Sequence, residues 1–239
     1  SGLFWNIWGV SRPPNLRRLV KLIRVHDLKF VAICEPKLEF SQIDSIRLRL
    51  SLDAVVSNPS GDIWVFYSSP LVCSLVGQSS QHISLMVHHP WLTRNLVLSI
   101  VHTQCSLDER RELWRALIAE RSFSSPWCVC GDFNVIMAPQ ERREGHPFRN
   151  SESQKLMSFM EEVGDIDTGF SGFNFMWCNN RKERARIWKR LDRLLINEEC
   201  TTLTSSISVT YLARLPSDHA PLKISFVSRL DNKPRPFRF

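Results

Sequence analysis

The chain has 239 residues, 43% of them hydrophobic and 23% charged, enough for a sizeable core and unlike a disordered acidic tail. No stretch approaches the roughly 18 consecutive apolar residues of a membrane helix, and no basic segment followed by an apolar one marks a secretory signal, so a membrane protein is excluded. The net charge of +7, from 31 basic and 24 acidic residues, points to a polyanionic partner without identifying it.

In chain order, the apolar run Leu3-Phe4-Trp5 ends at Asn6. A helix is predicted over 15–27, with Leu16, Leu19, Val20 and Ile23 at helical spacing and Asn15 as its N-cap. The run Phe30–Cys34 reads as a strand stopped by Pro36, which leaves Glu35 at the sheet rim. Strand-like runs follow at 63–67, 71–76, 83–87 and 96–103. A second helix starts at Ser106, in capping-box spacing with Glu109, and turns Leu113, Trp114 and Leu117 inward. Strand 127–130 leads into Gly131-Asp132-Phe133-Asn134, and a third helix is predicted over 151–163 with Ser151 and Gln154 as its capping box.

Strands at 173–177, 190–196, 207–212 and 222–227 complete the reading. Strands outnumber helices about three to one, which argues for an α/β sandwich of hairpin-rich sheets with flanking helices rather than a doubly wound sheet. Residues 1–228 are expected to form one domain. The stretch 229–239, with Pro234 and Pro236 among basic residues, is expected to be a linker toward a further domain, and the missing initiator Met suggests a piece of a longer chain. The seven cysteines are an odd number, and Cys34, Cys73, Cys128 and Cys130 lie in or beside strand-like runs, which favours reduced core thiols over disulfides. Cys128 and Cys130 lack the second ligand pair that a zinc site needs.

Small polar clusters end several of these runs: Asn6, Glu35, Asp132 with Asn134, Arg190-Leu191-Asp192 and Ser217-Asp218-His219. Strand ends present such groups at a sheet rim, so one site assembled from the whole chain is expected. Its hard oxygen donors suit Mg²⁺, with Mn²⁺ as a substitute, and the set fits metal-assisted phosphodiester cleavage. Glu35, Asn6 and Asp218 can supply metal ligands, Asp132 can take a proton from water, and Asn134 can hold the nucleophile or phosphate. His219 can donate to a phosphoryl oxygen while Asp192 orients the imidazole.

Each cluster alone also fits an ordinary turn, and His26, His82, His88, His89 and His146 read as surface or satisfied histidines. No Gly-x-Ser-x-Gly elbow, P-loop or dinucleotide turn is present in the sequence. The basic segment 181–193, which includes Arg186, Lys189 and Arg190, is a candidate nucleic-acid contact.

Taken together and in order, the motifs resemble the endonuclease/exonuclease/phosphatase superfamily, closest to endonuclease domains of plant LINE-type retrotransposons. The resemblance rests on Leu3-Phe4-Trp5-Asn6, Val31-Ala32-Ile33-Cys34-Glu35-Pro36-Lys37, Glu109-Arg110-Arg111-Glu112-Leu113-Trp114, Gly131-Asp132-Phe133-Asn134, Asp167-Thr168-Gly169-Phe170, Arg190-Leu191-Asp192-Arg193 and Ser217-Asp218-His219-Ala220. It implies a four-layer α/β sandwich: two mostly antiparallel sheets packed face to face, with helices outside. It also implies a Mg²⁺-dependent nick in DNA, a monomeric domain, continuation into a reverse transcriptase, and an intracellular, nuclear setting.

By resemblance Glu35, Asn6 and Asp218 hold metal, Asp132 activates water, Asn134 positions the reacting groups, and Asp192 with His219 binds phosphate. Two positions depart from the family pattern. His102 replaces a tyrosine that approaches the phosphate, and Met176 replaces a threonine, so weakened cleavage is expected. A non-catalytic nucleic-acid-binding module and a phosphoesterase for abasic DNA or inositol phosphate are the alternatives.

Overall fold

The strands that carry the site are covered on both faces. Gly2–Asn6 (β1), Phe30–Cys34 (β2) and Trp127–Asp132 (β8) are buried along their whole length, which is why they read as continuous apolar runs rather than as alternating ones. The computed structural model describes residues 1–121, 125–182 and 185–227. The expected linker at 229–239 and Arg184 of the basic segment lie outside them.

Between β1 and β2 runs Pro13–His26 (α1), and β2 is followed by Ile43–Leu50 (α2), Ala54–Ser57 (β3) and Ile63–Tyr67 (β4). Next come Val72–Ser79 (β5), His82–His88 (β6), Leu96–His102 (β7) and Leu107–Glu120 (α3), ahead of β8. Arg142–Arg143 (β9), Asn150–Val163 (α4), Ile166–Asp167 (β10), Ser171–Gly172 (β11), Trp177–Cys178 (β12) and Trp188–Lys189 (β13) follow. Asp192–Ile196 (β14), Glu198–Leu203 (α5), Ser206–Tyr211 (β15) and Leu222–Val227 (β16) complete the fold.

The larger sheet has the order β11-β15-β16-β1-β2-β4-β3, the second β10-β14-β8-β7-β6-β5, and a small third sheet β12-β13-β9. The two large sheets enclose one core, in which Phe4, Ala32, Val65, Ile83, Leu98, Cys130 and Ile224 meet. α1 and α2 cover the outer face of the larger sheet through Leu19, Leu22, Ile46 and Leu50. α3 and α4 cover the second through Leu113, Trp114, Leu117, Leu156 and Phe159. This is the four-layer α/β sandwich. Each fully buried large side chain contributes about 1.5–3 kcal/mol to it.

Local chemistry corrects three expectations. Asn15 is not the cap of α1: Pro13 and Pro14 open the helix behind Arg12, and the buried Asn15 amide instead donates to the Ile7 and Gly9 carbonyls at 2.8 and 2.9 Å. It thereby ties the loop after β1 to the helix. α4 begins at Asn150 with no side-chain cap, so Ser151 and Gln154 lie within the helix. Residues 173–177 form no full strand; only Trp177 and Cys178 pair, with Lys189 and Trp188. The Ser106 cap of α3 is present, its side chain accepting from the Glu109 N–H. All seven cysteines are free and five are buried; Cys105 is exposed and Cys73 partly so.

Candidate active site

Pairing register gathers the polar groups before any side chain is considered. β1 and β2 run parallel with Asn6 opposite Cys34, so Asn6 and Glu35 emerge at the same end. In the second sheet His102 pairs with Asp132, and Asp132 with Asp192, one rung across three adjacent strands. An isolated bridge between Trp177 and His219 brings in the histidine.

Gly131 is required one residue before Asp132, because a Cβ there would overlap the Val101 carbonyl of the neighbouring strand. Glu35 and Asn134 adopt left-handed φ values of 50° and 49°, an uncommon conformation that tends to collect at functional sites.

The side chains interlock across the two sheets. The Asn6 amide donates to Glu35 Oε1 at 3.0 Å and to Asp132 Oδ2 at 3.1 Å. Asp132 Oδ1 accepts the backbone N–H of Asn134 at 2.9 Å, and the Asn134 amide donates to the Thr103 carbonyl at 2.7 Å. His219 Nδ1 lies 3.3 Å from both Asp192 oxygens, which leaves Nε2 facing Asp132 at 3.6 Å. His102 Nε2 stands 3.6 Å from Glu35 Oε1, and Lys37 Nζ is 3.1 Å from Glu35 Oε2.

These neighbours set the charge states. His102, together with Asn6 and Lys37, outweighs burial and lowers the Glu35 carboxyl to about 2. Burial disfavours the His102 imidazolium, but Glu35 and Asp132 raise its pKa above the ordinary value. Burial would likewise strip the His219 proton, yet the Asp192 and Asp132 carboxylates outweigh it and raise the imidazole to about 9. Burial also pushes the Asp192 carboxyl upward, with His219 acting against it. The pair therefore keeps a proton on the imidazole near neutral pH.

One acceptor atom shows what the donor set suits. Asn6 Oδ1 is buried without a hydrogen-bond partner, an uncompensated acceptor beside the Glu35 and Asp132 carboxylates. A hard cation would satisfy it, so Asn6 and Glu35 fit a divalent metal, with the Asp132 carboxylate alongside. Asp132, Asp192 and His219 also bring ligand atoms within 4.8 Å of one another. Of the expected metal ligands, Asn6 and Glu35 are brought together. Asp218 is half-buried, accepts from the Ser217 hydroxyl at 3.2 Å, and helps raise the His219 pKa.

The basic segment departs from expectation. Arg190, expected at the nucleic-acid surface, is turned inward: it donates to Glu141 at 2.9 Å, Asp167 at 2.8 Å and the Tyr211 hydroxyl at 3.1 Å. Arg193 is fully buried against the same two carboxylates. Both acids are held below their ordinary pKa, the two arginines prevailing over burial. Lys189 is partly buried over the Trp177 ring, 5.5 Å from its centroid, and Arg186 is exposed, bonded to the Arg181 carbonyl.

Several supporting residues carried no sequence signal beyond standing next to a motif. Trp5 donates to the His219 carbonyl at 3.0 Å and the Ser217 hydroxyl to the Asn6 carbonyl at 3.0 Å, which fastens the two chain ends together. The Tyr211 hydroxyl donates to the Asp192 carbonyl at 2.6 Å. Met176 is not merely a lost hydroxyl: its sulfur accepts the backbone N–H groups of Leu191 and Asp192 at 3.3 and 3.2 Å. His82, satisfied as expected, lies between Ser79 and Glu120.

Residues 3–219 match the profile of the Endonuclease/Exonuclease/phosphatase family. The chain belongs to that family. No curated protein matches its sequence. The endonuclease domain of TRAS1, a telomere-specific non-LTR retrotransposon, superposes with a TM-score of 0.68 at 12% identity, over 94% of this chain and 97% of its own. An AP endonuclease from Archaeoglobus fulgidus gives 0.70 at 16% identity, covering 94% and 98%. The 3′ phosphatase NExo from Neisseria, bound to a product DNA hairpin, gives 0.70 at 15%, again covering 94% and 98%. At these identities the likeness establishes the fold. Endonuclease/Exonuclease/phosphatase proteins are phosphoester hydrolases, and no helix among the described residues is long and apolar enough to cross a membrane.

Proposed function

We propose that this chain is a Mg²⁺-dependent endonuclease that nicks DNA, of the kind found in LINE-type retrotransposons. The observation that carries the reading is the orphaned Asn6 carbonyl oxygen among Glu35 and Asp132, one bond network away from a protonated His219. Mg²⁺, or Mn²⁺ in its place, held by Glu35 and Asn6 with Asp218 as a further ligand, would supply Lewis-acid polarisation of the phosphate.

The remaining work falls to the chain. Asp132 accepts a proton from the attacking water, its carboxylate aimed by the Asn134 N–H and the Asn6 amide. The Asn134 side chain, anchored to Thr103, positions the phosphate or nucleophile. Asp192 accepts from Nδ1–H and orients the His219 imidazolium, so that Nε2–H donates to the phosphoryl oxygen on which charge develops. His102 adds a second cationic donor from the end of β7, its charged form favoured by Glu35 and Asp132 against burial, but with a shorter reach than a tyrosine.

DNA is the proposed polymer, acted on by a monomer in the nucleus and in cis to a reverse transcriptase. The test is nicking of supercoiled plasmid with Mg²⁺ or with EDTA. His219→Ala and Asp132→Ala should each lose about 10²-fold or more. Wild-type activity no higher than these variants, or activity that persists in EDTA, would sink the reading. Cleavage confined to abasic plasmid would reassign the substrate to damaged DNA.

A further inference from the structure

With Arg190 and Arg193 neutralised inside the protein, the basic excess must lie elsewhere on the surface, and α1 and α2 carry a concentrated share of it. Arg17, Lys21 and Arg24 form one exposed stripe along α1, and together with Arg49 of α2 they line a groove of about 560 Å³ whose apolar lining is Leu16, Val20 and the exposed Val25. α1 contains no acidic residue. The acids that border the two helices are engaged elsewhere, Asp27 with Lys29 and Asp44 with Arg47. Like charges at i,i+4 and i,i+3 repel along the helix, and among the described residues no ion pair to Arg17, Lys21 or Arg24 is formed.

We propose that this groove is a second anion-binding surface that holds the phosphate backbone of a nucleic-acid strand outside the catalytic centre. Arg17, Lys21 and Arg24 present about one cation per helical turn, a spacing of about 5–6 Å that suits successive backbone charges. The stripe begins beside the site, because α1 leaves the Asn6 end of β1, and Arg18 donates to the Ala213 carbonyl of the loop leading to Ser217.

An anionic membrane fits less well. An interfacial helix inserts its apolar face into lipid, and here Leu19, Leu22 and Ile23 are committed to the core. The choice of a nucleic acid rests on the nuclease reading; the anion groove itself does not.

The test is fluorescence anisotropy of the full chain in EDTA, with a duplex DNA of about 30 base pairs and a single-stranded RNA of similar length, between about 50 and 300 mM salt. The triple variant Arg17→Gln/Lys21→Gln/Arg24→Gln should bind at least about tenfold more weakly at low salt, its log K against log salt shallower by about 2–3. The polymer whose slope falls more is the natural one. Thermal melting of the variant should be unchanged or improved, since repulsion is removed. Arg49→Gln, a milder change, should lower the slope by about 1.

Unchanged slopes for both polymers, in both variants, overturn the proposal. With phosphatidylserine vesicles as a third probe, a loss confined to vesicle binding also overturns it and would reassign the groove to membranes. A wild-type chain that shows the slope but never nicks keeps the groove and rejects the nuclease reading.

Discussion

Asp165 tests the electrostatic account quantitatively. It follows α4, is 5% exposed, and neither carboxylate oxygen has a hydrogen-bond partner. Burial raises its pKa from 3.8 to about 7, against the opposing field of Arg121. A folded-state pKa above the unfolded one means that the charged form costs stability. The cost is nil below the unfolded value, grows with pH, and is complete above the folded value.

At about 1.4 kcal/mol per unit, a shift of about three units costs about 4 kcal/mol at pH 8 and about 2 kcal/mol at pH 5. Asp165→Asn keeps the shape and removes the charge, although its amide still needs partners at about 1–3 kcal/mol. Urea unfolding of both proteins should show the variant gaining about 2 kcal/mol relative to wild type between pH 5 and pH 8. An equal difference at both pH values would refute the reasoning, because a purely steric effect does not titrate.

Three further substitutions probe the site and its supports. Gly131→Ala should displace β7 from β8 and abolish nicking along with native stability, measured by plasmid nicking and thermal melting; a folded, active variant would show that the close approach to Val101 is not needed. Arg193→Met leaves the half-buried Glu141 and Asp167, whose pKa values are lowered in the fold, to share Arg190 alone. It should cost about 3–5 kcal/mol at pH 7, read by urea unfolding. That penalty should shrink as pH falls through the folded values and both acids protonate, since groups with depressed pKa contribute only above them. Met176→Thr removes the sulfur that accepts from Leu191 and Asp192 and opens a void. A loss of about 2–3 kcal/mol in urea unfolding is expected, together with slower nicking rather than faster.

The sequence by itself determined the strand-rich sandwich and the identity of the rim groups. Buried strands must be continuously apolar, and only their ends can present carboxylate, amide or imidazole to solvent, so Asn6, Glu35, Asp132 and His219 were legible as a set. Helices α2 and α5 were not, being short and weakly patterned, and Asn15 looked like a cap because local spacing cannot reveal a bond to the Ile7 carbonyl.

What only the tertiary structure decided is which charges face water. A run of cations reads the same whether solvated or paired, and Arg190 and Arg193 are neutral in effect because Glu141 and Asp167, distant in sequence, meet them in the fold. The same holds for the unpaired Asn6 carbonyl oxygen and for the raised His219 pKa. Both arise from atoms that sequence-distant segments bring together, Asn6 with Asp132 across the two sheets and His219 from the loop before β16 with Asp132 and Asp192. Their strength depends on burial that no local pattern encodes.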